Sequence, residues 1–182
     1  MSTPEVKLVP ALPEHLDAWI AMRNGPTSRR LLPLDDDSRE SLQKRLSEAS
    51  SDVTDPRAKS FRWMVEADGQ IAGTVSAREL SRFHGRIEIG YMLVEEFIGR
   101  GIGTRAVVML LERLFTIPEL QRIWLTTTEA NLASQALARK LGFVQEGLLR
   151  GHCIVQGKRT DQQVWGLLRS EWDARRAPLS VR

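Results

Sequence analysis

Residues 86–115 read RIEIGYMLVEEF, then IGRGIGTRA, then VVMLLERLF. Three unlike patterns follow one another. Arg86 to Val94 mixes β-branched and aromatic residues, as a central strand does. Gly99, Gly101 and Gly103 fall at alternate positions. Residues without a Cβ reach positive φ and let a ligand lie directly on the backbone. Val107, Leu110, Leu111 and Leu114 then recur at helical spacing, with Pro118 just beyond. The helix therefore turns its unpaired first N–H groups, and the positive end of its dipole, toward the glycine turn. Such a turn is a phosphate site.

Three phosphate sites compete. A Walker A loop needs Lys-Ser/Thr after its last glycine, and here Gly103 is followed by Thr104 and Arg105. Gly101-Ile-Gly-Thr-Arg-Ala106 does fit the dinucleotide pattern G-x-G-x-x-A, with Glu129 at roughly the acidic spacing. A dinucleotide domain, however, carries that pattern at its first βα turn and needs two βαβαβ halves; here it sits mid-chain with too few helices after it. The third reading covers more residues. The segment resembles motif A of the GNAT superfamily of acetyl-CoA-dependent N-acetyltransferases, (Q/R)-x-x-G-x-G/A, with Ile98, Gly101 and Gly103 at the pattern positions. Ile98 departs from Gln or Arg, as it often does in the RimJ/RimL branch that acetylates ribosomal-protein N-termini.

Outward from this stretch, Val6 to Pro10 reads as a strand, and Pro13-Glu14-His15 opens a helix ending near Asn24-Gly25-Pro26. Arg29 to Asp37 reads as irregular. Ser38 and Ser41 begin a second helix with Leu42 and Leu46 on its buried face. Phe61 to Glu66 and Ile71 to Leu80 are strands joined by Asp68-Gly69, a strong hairpin signal. Arg122 to Thr128 is a β-branched strand, Asn131 to Leu141 a helix stopped by Gly142, and Leu148 to Val155 with Thr160 to Leu168 a last hairpin. Glu171 to Arg176 reads as a short tail helix. With no repeat or linker, residues 1–182 form one expected domain, an α/β (α+β) fold whose mixed central sheet of about seven strands has helices on both faces. This is also the GNAT order, in which strands four and five splay and the pantetheine arm enters the gap.

A second stretch strengthens the resemblance. Asn131-x-x-Ser134, then Lys140-x-Gly142-Phe143-x-x-Glu146-Gly147, is similar to motif B of the RimJ/RimL branch. On sequence alone Asn131 is a helix cap and Ser134 the third helical residue. The resemblance implies more. Asn131 would hydrogen-bond the pantetheine amides, and Ser134 would protonate the leaving thiolate. Amides of Ile98, Gly99, Arg100, Gly101, Ile102, Gly103 and Thr104 would hold the pyrophosphate, with the Arg100 side chain as a further contact. A backbone N–H among Met92, Leu93 and Val94, with Leu93 favoured, would serve as oxyanion donor.

Acetylating an amine also requires a proton acceptor, because an α-amine with a pKa near 7.7–8 is largely charged at neutral pH. Glu88, about ten residues before the turn, is the candidate base, direct or through one water. The competing account pairs it structurally with Arg86 or Arg122. Trp19, spaced with Leu16 and Ile20, reads as core.

Composition bounds the rest. Charged residues at 27 % and hydrophobic ones at 42 % describe a globular chain, not a disordered one. No apolar run has membrane-spanning length, and MSTPEV carries no signal-peptide pattern. One cysteine, Cys153, allows no internal disulfide and suits a cytoplasmic setting. Three histidines without an HxxxH pair argue against a catalytic metal. A net charge of +3 with scattered arginines gives no nucleic-acid stripe. The expected cosubstrate is acetyl-CoA, and the expected acceptor a protein N-terminal α-amine. A small amine (polyamine, amino acid or antibiotic) or a non-catalytic acyl-CoA-binding module stays open, as does monomer or homodimer.

Overall fold

The computed structural model describes residues 4–176 of the 182-residue chain; the outer ends of the expected 1–182 domain lie outside the described residues. Seven strands form one sheet in the order β1-β2-β3-β4-β5-β7-β6. They are β1 (Val6–Pro10), β2 (Phe61–Ala67), β3 (Gln70–Ser81), β4 (Arg86–Leu93), β5 (Arg122–Thr128), β6 (Val144–Val155) and β7 (Lys158–Leu168). Every neighbouring pair is antiparallel except β4 and β5, which run parallel. That exception follows from the helix α4 (Ile102–Leu114) between them, since parallel strands need a crossover connection.

Alternation along the strands sorts the core into two clusters. On one face Trp63, Val65, Val75, Ile87 and Ile89 pack with Val107, Leu110, Leu111 and Leu114 of α4, and with Ala138 and Leu141 of α5 (Leu132–Leu141). On the other face a smaller cluster joins Leu16 and Trp19 of α1 (Leu16–Asn24) to Leu42 and Leu46 of α3 (Arg39–Glu48). Trp19 is 1 % exposed, as core spacing implied.

The segment expected to be irregular is partly helical: α2 spans Pro26–Leu31. The Gly25-Pro26 pair that stops α1 also starts α2, because Gly25 is extended at the N-cap and Pro26 occupies the first helical turn, where a missing N–H costs nothing. Glu95 completes the start. Its carboxylate accepts from Thr27 Oγ1 at 2.7 Å and from the Thr27 amide at 3.3 Å, as an acid near a helix N-terminus should.

The tail helix α6 (Arg169–Arg176) begins two residues before the expected start and is anchored at its head. Trp172 stacks on Phe115 with ring centroids 6.0 Å apart. Arg169 donates to the carbonyls of Phe115, Ile117 and Leu120 at 2.8, 2.7 and 2.7 Å. Those carbonyls close the C-terminal end of α4 and the turn after it. Hydrogen bonds to a charged group contribute about 1.5–3 kcal/mol each, and losing three at once leaves three acceptors to find water. Arg169→Ala should therefore lower the unfolding free energy by about 2–4 kcal/mol in urea denaturation. A loss below about 0.5 kcal/mol, the range of an ordinary surface change, would show that the tail helix is not pinned this way.

Candidate active site

The parallel pairing of β4 with β5 lasts three rows, Arg86 to Glu88 against Arg122 to Trp124. Beyond that point β4 stays paired with β3 to Leu93, and β5 with β7 to Thr128, but the two no longer pair with each other. The strands splay, and a gap opens between them.

Residue parity decides which backbone groups enter the gap. Successive strand residues turn N–H and C=O to alternate neighbours. The Gly85 carbonyl accepts from the amide of Arg122 on the β5 side, whereas Val94 donates its N–H to Ala72 on the β3 side. Odd-numbered residues of β4 therefore face β5, and even-numbered ones face β3. Of the three backbone donors considered, Leu93 presents its N–H to the gap. Met92 and Val94 do not, and Val94 is already engaged at 2.9 Å.

Two cavities meet at this gap. One, of about 340 Å³, is lined by the side chains and backbone of Ile98, Gly99, Gly101, Gly103 and Thr104, by Ala133, Ala136, Leu137 and Lys140 of α5, and by Thr27 and Ser28 of α2. The other, of about 170 Å³, reaches back under the sheet to Trp19, Arg23, Arg45, Arg62, Arg78 and Glu88. They share Leu31, Leu32, Tyr91, Met92, Asn131 and Ser134.

The glycine turn is shaped for an anion. Gly101 is the N-cap of α4 in the left-handed region (φ 74°), and Gly99 lies there too (φ 81°). A Cβ at either position would meet nothing within 4 Å, so backbone conformation demands glycine and the turn's outer surface is open. Arg105 is the first residue whose amide finds a carbonyl, that of Gly101. Among the described residues nothing accepts from the amides of Gly99 to Thr104. Ile98 is different, because its amide already donates to Glu95. The Ile102 side chain is core at 1 % exposure. Arg100 lies over the Phe97 ring at 5.5 Å and does not line the cavity; Lys140 is the cation that does.

At the junction Asn131 Oδ1 accepts from the Ser134 amide at 3.1 Å, the expected cap. Among the described residues its amide nitrogen has no partner, and Asn131 lines both cavities. Ser134 is buried and its Oγ lies 2.7 Å from the hydroxyl of Tyr91. Tyr91, unremarked in the sequence, had one signal there: a tyrosine on the odd-numbered face of the central strand. Burial pushes its hydroxyl up to about 12, partly opposed by the Ser134 contact. It therefore keeps its proton at any physiological pH.

Glu88 lines the second cavity at 5 % exposure. Its partner is neither Arg86 nor Arg122, which pairs with Glu146 instead. Arg78, directly opposite on β3, grips it with both ends of the guanidinium, Nε to Oε2 at 2.9 Å and Nη2 to Oε1 at 2.7 Å. This hydrogen bonding raises Arg78 above its ordinary value. Each Glu88 oxygen still has a further lone pair. Cys153 stands apart, its thiol 3.5 Å from the Thr160 carbonyl and pushed up by burial.

The site is thus a gap between splayed strands, with an open glycine turn on one side and a buried carboxylate on the other. The chain belongs to the GNAT acetyltransferase family, the Acetyltransferase (GNAT) domain matching residues 5–144. Members of that family use acetyl-CoA. The chain is 34 % identical over 106 residues to the protein named "Putative ribosomal N-acetyltransferase YdaF" of Bacillus subtilis (strain 168), covering 58 % of each. It is 33 % identical over 97 residues to the spermidine N(1)-acetyltransferase of Escherichia coli (strain K12), covering 53 % of this chain and 52 % of that one. Those matches span just over half the length of these relatives. In fold it resembles the RimL ribosomal L7/L12 α-N-protein acetyltransferase in complex with coenzyme A (TM-score 0.79, 20 % identity, 93 % and 97 % covered). It likewise resembles Mycobacterium smegmatis RimJ (TM-score 0.80, 23 % identity, 96 % and 88 % covered).

Tyr91 is the sole tyrosine of the chain, so ultraviolet absorbance titration reads it alone. The midpoint should fall near 12 in the folded protein and near the ordinary value of about 10 in denaturant. Because the folded value is the higher one, the group's contribution to stability is intact below about pH 10 and declines as pH climbs toward 12. A folded midpoint near 10 would mean that the hydroxyl is not sealed at the junction.

Proposed function

We propose that the chain transfers the acetyl group of acetyl-CoA to a primary amine, the α-amine of a protein N-terminus, by direct attack while both substrates are bound. The observation that carries this is the junction of two cavities at Tyr91, Met92, Asn131 and Ser134, beside Leu93. A donor entering from the glycine turn and an acceptor entering from the Glu88 side would meet there without a covalent enzyme intermediate.

Acetyl-CoA supplies an activated thioester and a diphosphate. The residues present fit it: six unanswered amides from Gly99 to Thr104 suit the diphosphate, and Leu137 and Ala133 suit an apolar arm. The free nitrogen of Asn131 suits an amide of that arm. Leu93 holds an N–H toward the gap, where negative charge would grow on the thioester oxygen; one such donor contributes about 3 kcal/mol to lowering a barrier. With Tyr91 donating to Ser134, the serine's own proton is free for the departing sulfur. Glu88 receives the proton of the acceptor amine. Because Arg78 occupies one lone pair on each oxygen, a bridging water is the natural route. The chain's likeness to YdaF and to the RimL and RimJ folds supports a protein N-terminus as acceptor.

Acetyl-CoA turnover, read as free thiol across peptide N-termini and small amines, tests the reading. Glu88→Gln should cut kcat/KM by about 10²–10⁴ while calorimetric CoA binding stays intact. Unchanged turnover removes Glu88 as the base. In the wild type, kcat/KM should climb about tenfold per pH unit and level off near 7.7–8, where the acceptor amine loses its proton. A rise that stops well below that range would mean that the neutral amine is not what attacks.

A further inference from the structure

The acceptor cavity is lined by four guanidinium groups, those of Arg23, Arg45, Arg62 and Arg78. Two carboxylates answer three of them. Asp37 accepts from Arg23 at 2.7 Å and from Arg45 at 2.6 Å, and Glu88 takes Arg78. Arg62 is left over. Its closest polar contact is Thr74 Oγ1 at 3.4 Å, a long one. Its Nε is sealed from solvent and has no partner among the described residues. The other such atom, Nε of Arg82, belongs to a guanidinium already facing Glu119 and the Asp55 carbonyl. Among the described residues Arg62 has no carboxylate partner. Burial above all, and then the neighbouring charges of Arg45, Arg23 and Arg78, press it down to about 9.

A cation held this way is costly. The Trp19 ring, 4.0 Å beneath the Arg62 guanidinium, offers a cation–π contact. That contact offsets only part of what an unpaired, half-buried charge costs. The charge becomes reasonable if the working complex brings its own anion. Its place also suits a substrate. Arg62, Ser76 and Gly90 stand in one row across β2, β3 and β4. That row is one step from Arg78 and Glu88 toward the strand gap, and two strand spacings, about 10 Å, separate Arg62 from Gly90. Gly90 has no side chain to fill the floor between them; a Cβ there would meet only the Ser76 hydroxyl, at 3.4 Å.

Resting on the acetyl-transfer reading above, we infer that the acceptor carries a carboxylate close to its amine, and that Arg62 receives it. The chemistry fits an N-terminal peptide with Asp or Glu at its first or second position. The α-carboxylate of a free amino acid is the other source of the same group. A polyamine such as spermidine is disfavoured, because its second cation would enter a cavity lined by four guanidinium groups and one carboxylate, Glu88.

Turnover is compared for peptides beginning Ser-Glu, Glu-Ser, Ser-Gln and Ser-Lys, for free glutamate and for spermidine, in the wild type, Arg62→Met and Arg62→Lys. Calorimetry with CoA present measures binding of the N-acetylated peptides to the same proteins. In the wild type an acidic peptide should exceed its glutamine counterpart by about tenfold or more in kcat/KM, with spermidine lowest. Arg62→Met should bring that ratio near one, and Arg62→Lys should keep part of it. Free glutamate outpacing every peptide supports the anion site and removes the protein terminus as acceptor. Turnover that ignores both the acidic group and Arg62 overturns the anion site and leaves acetyl transfer standing. If no amine turns over, binding decides: an acidic preference lost in Arg62→Met keeps the anion site and sinks acetyl transfer, and no preference sinks the anion site.

Discussion

The rest of the structure depends on a ladder that stops. Strands β4 and β5 share three rows and then part, leaving backbone groups of Tyr91 and Leu93 without a strand partner. Unpaired buried backbone is costly, so a gap in a central sheet ordinarily closes or slips register. Here each lip is fixed from behind. β4 remains paired with β3 through Leu93, and β5 with β7 through Thr128. The α4 crossover forces the parallel arrangement, and its Val107, Leu110 and Leu111 lock beneath both strands. The opening is therefore held from both sides by paired strands.

The gap also divides two electrostatic environments. On the turn side the lining includes four leucines, two alanines and three glycines, with Lys140 as the cation. On the other side the lining is rich in arginine. Between them sits Tyr91, which burial keeps neutral. Its contact with Ser134 makes a neutral hydroxyl pair at the boundary.

The glycine turn, α4, the order of elements along the chain and the Asn131 cap were legible because each is a local pattern: period, spacing or capping chemistry. What was not legible depends on long-range placement. Arg78 stands opposite Glu88 through a β3–β4 register interrupted by a bulge between Arg78 and Ser81, with Glu79 at φ 57°. No sequence spacing announces that pairing, so Arg86 and Arg122 looked equally eligible. Helix α2 is six residues long, too short for periodicity, and its start depends on Glu95, which is 68 residues away from Thr27. Yet α2 and the residue after it supply Leu31 and Leu32, which face both cavities. Tyr91 and Ser134 meet across 43 residues. Parity along β4 was available in the sequence, but its meaning required knowing which neighbour lay on which side.

Trp19 shows why core and site are poor alternatives on this face of the sheet. At 1 % exposure it offers a substrate almost no surface. Its ring nevertheless carries three of the four cavity guanidiniums, Arg62 at 4.0 Å, Arg45 at 5.6 Å and Arg23 at 6.0 Å. The cluster that holds Trp19 is small, with Leu16, Leu42 and Leu46 as its other buried members. A change in how α1 and α3 pack there moves a charged lining directly. The α4 cluster on the opposite face is larger and has no such passengers in the acceptor cavity. Core packing and the charged lining are thus coupled through one indole on the α1–α3 side, while the helix behind the glycine turn packs into the main core.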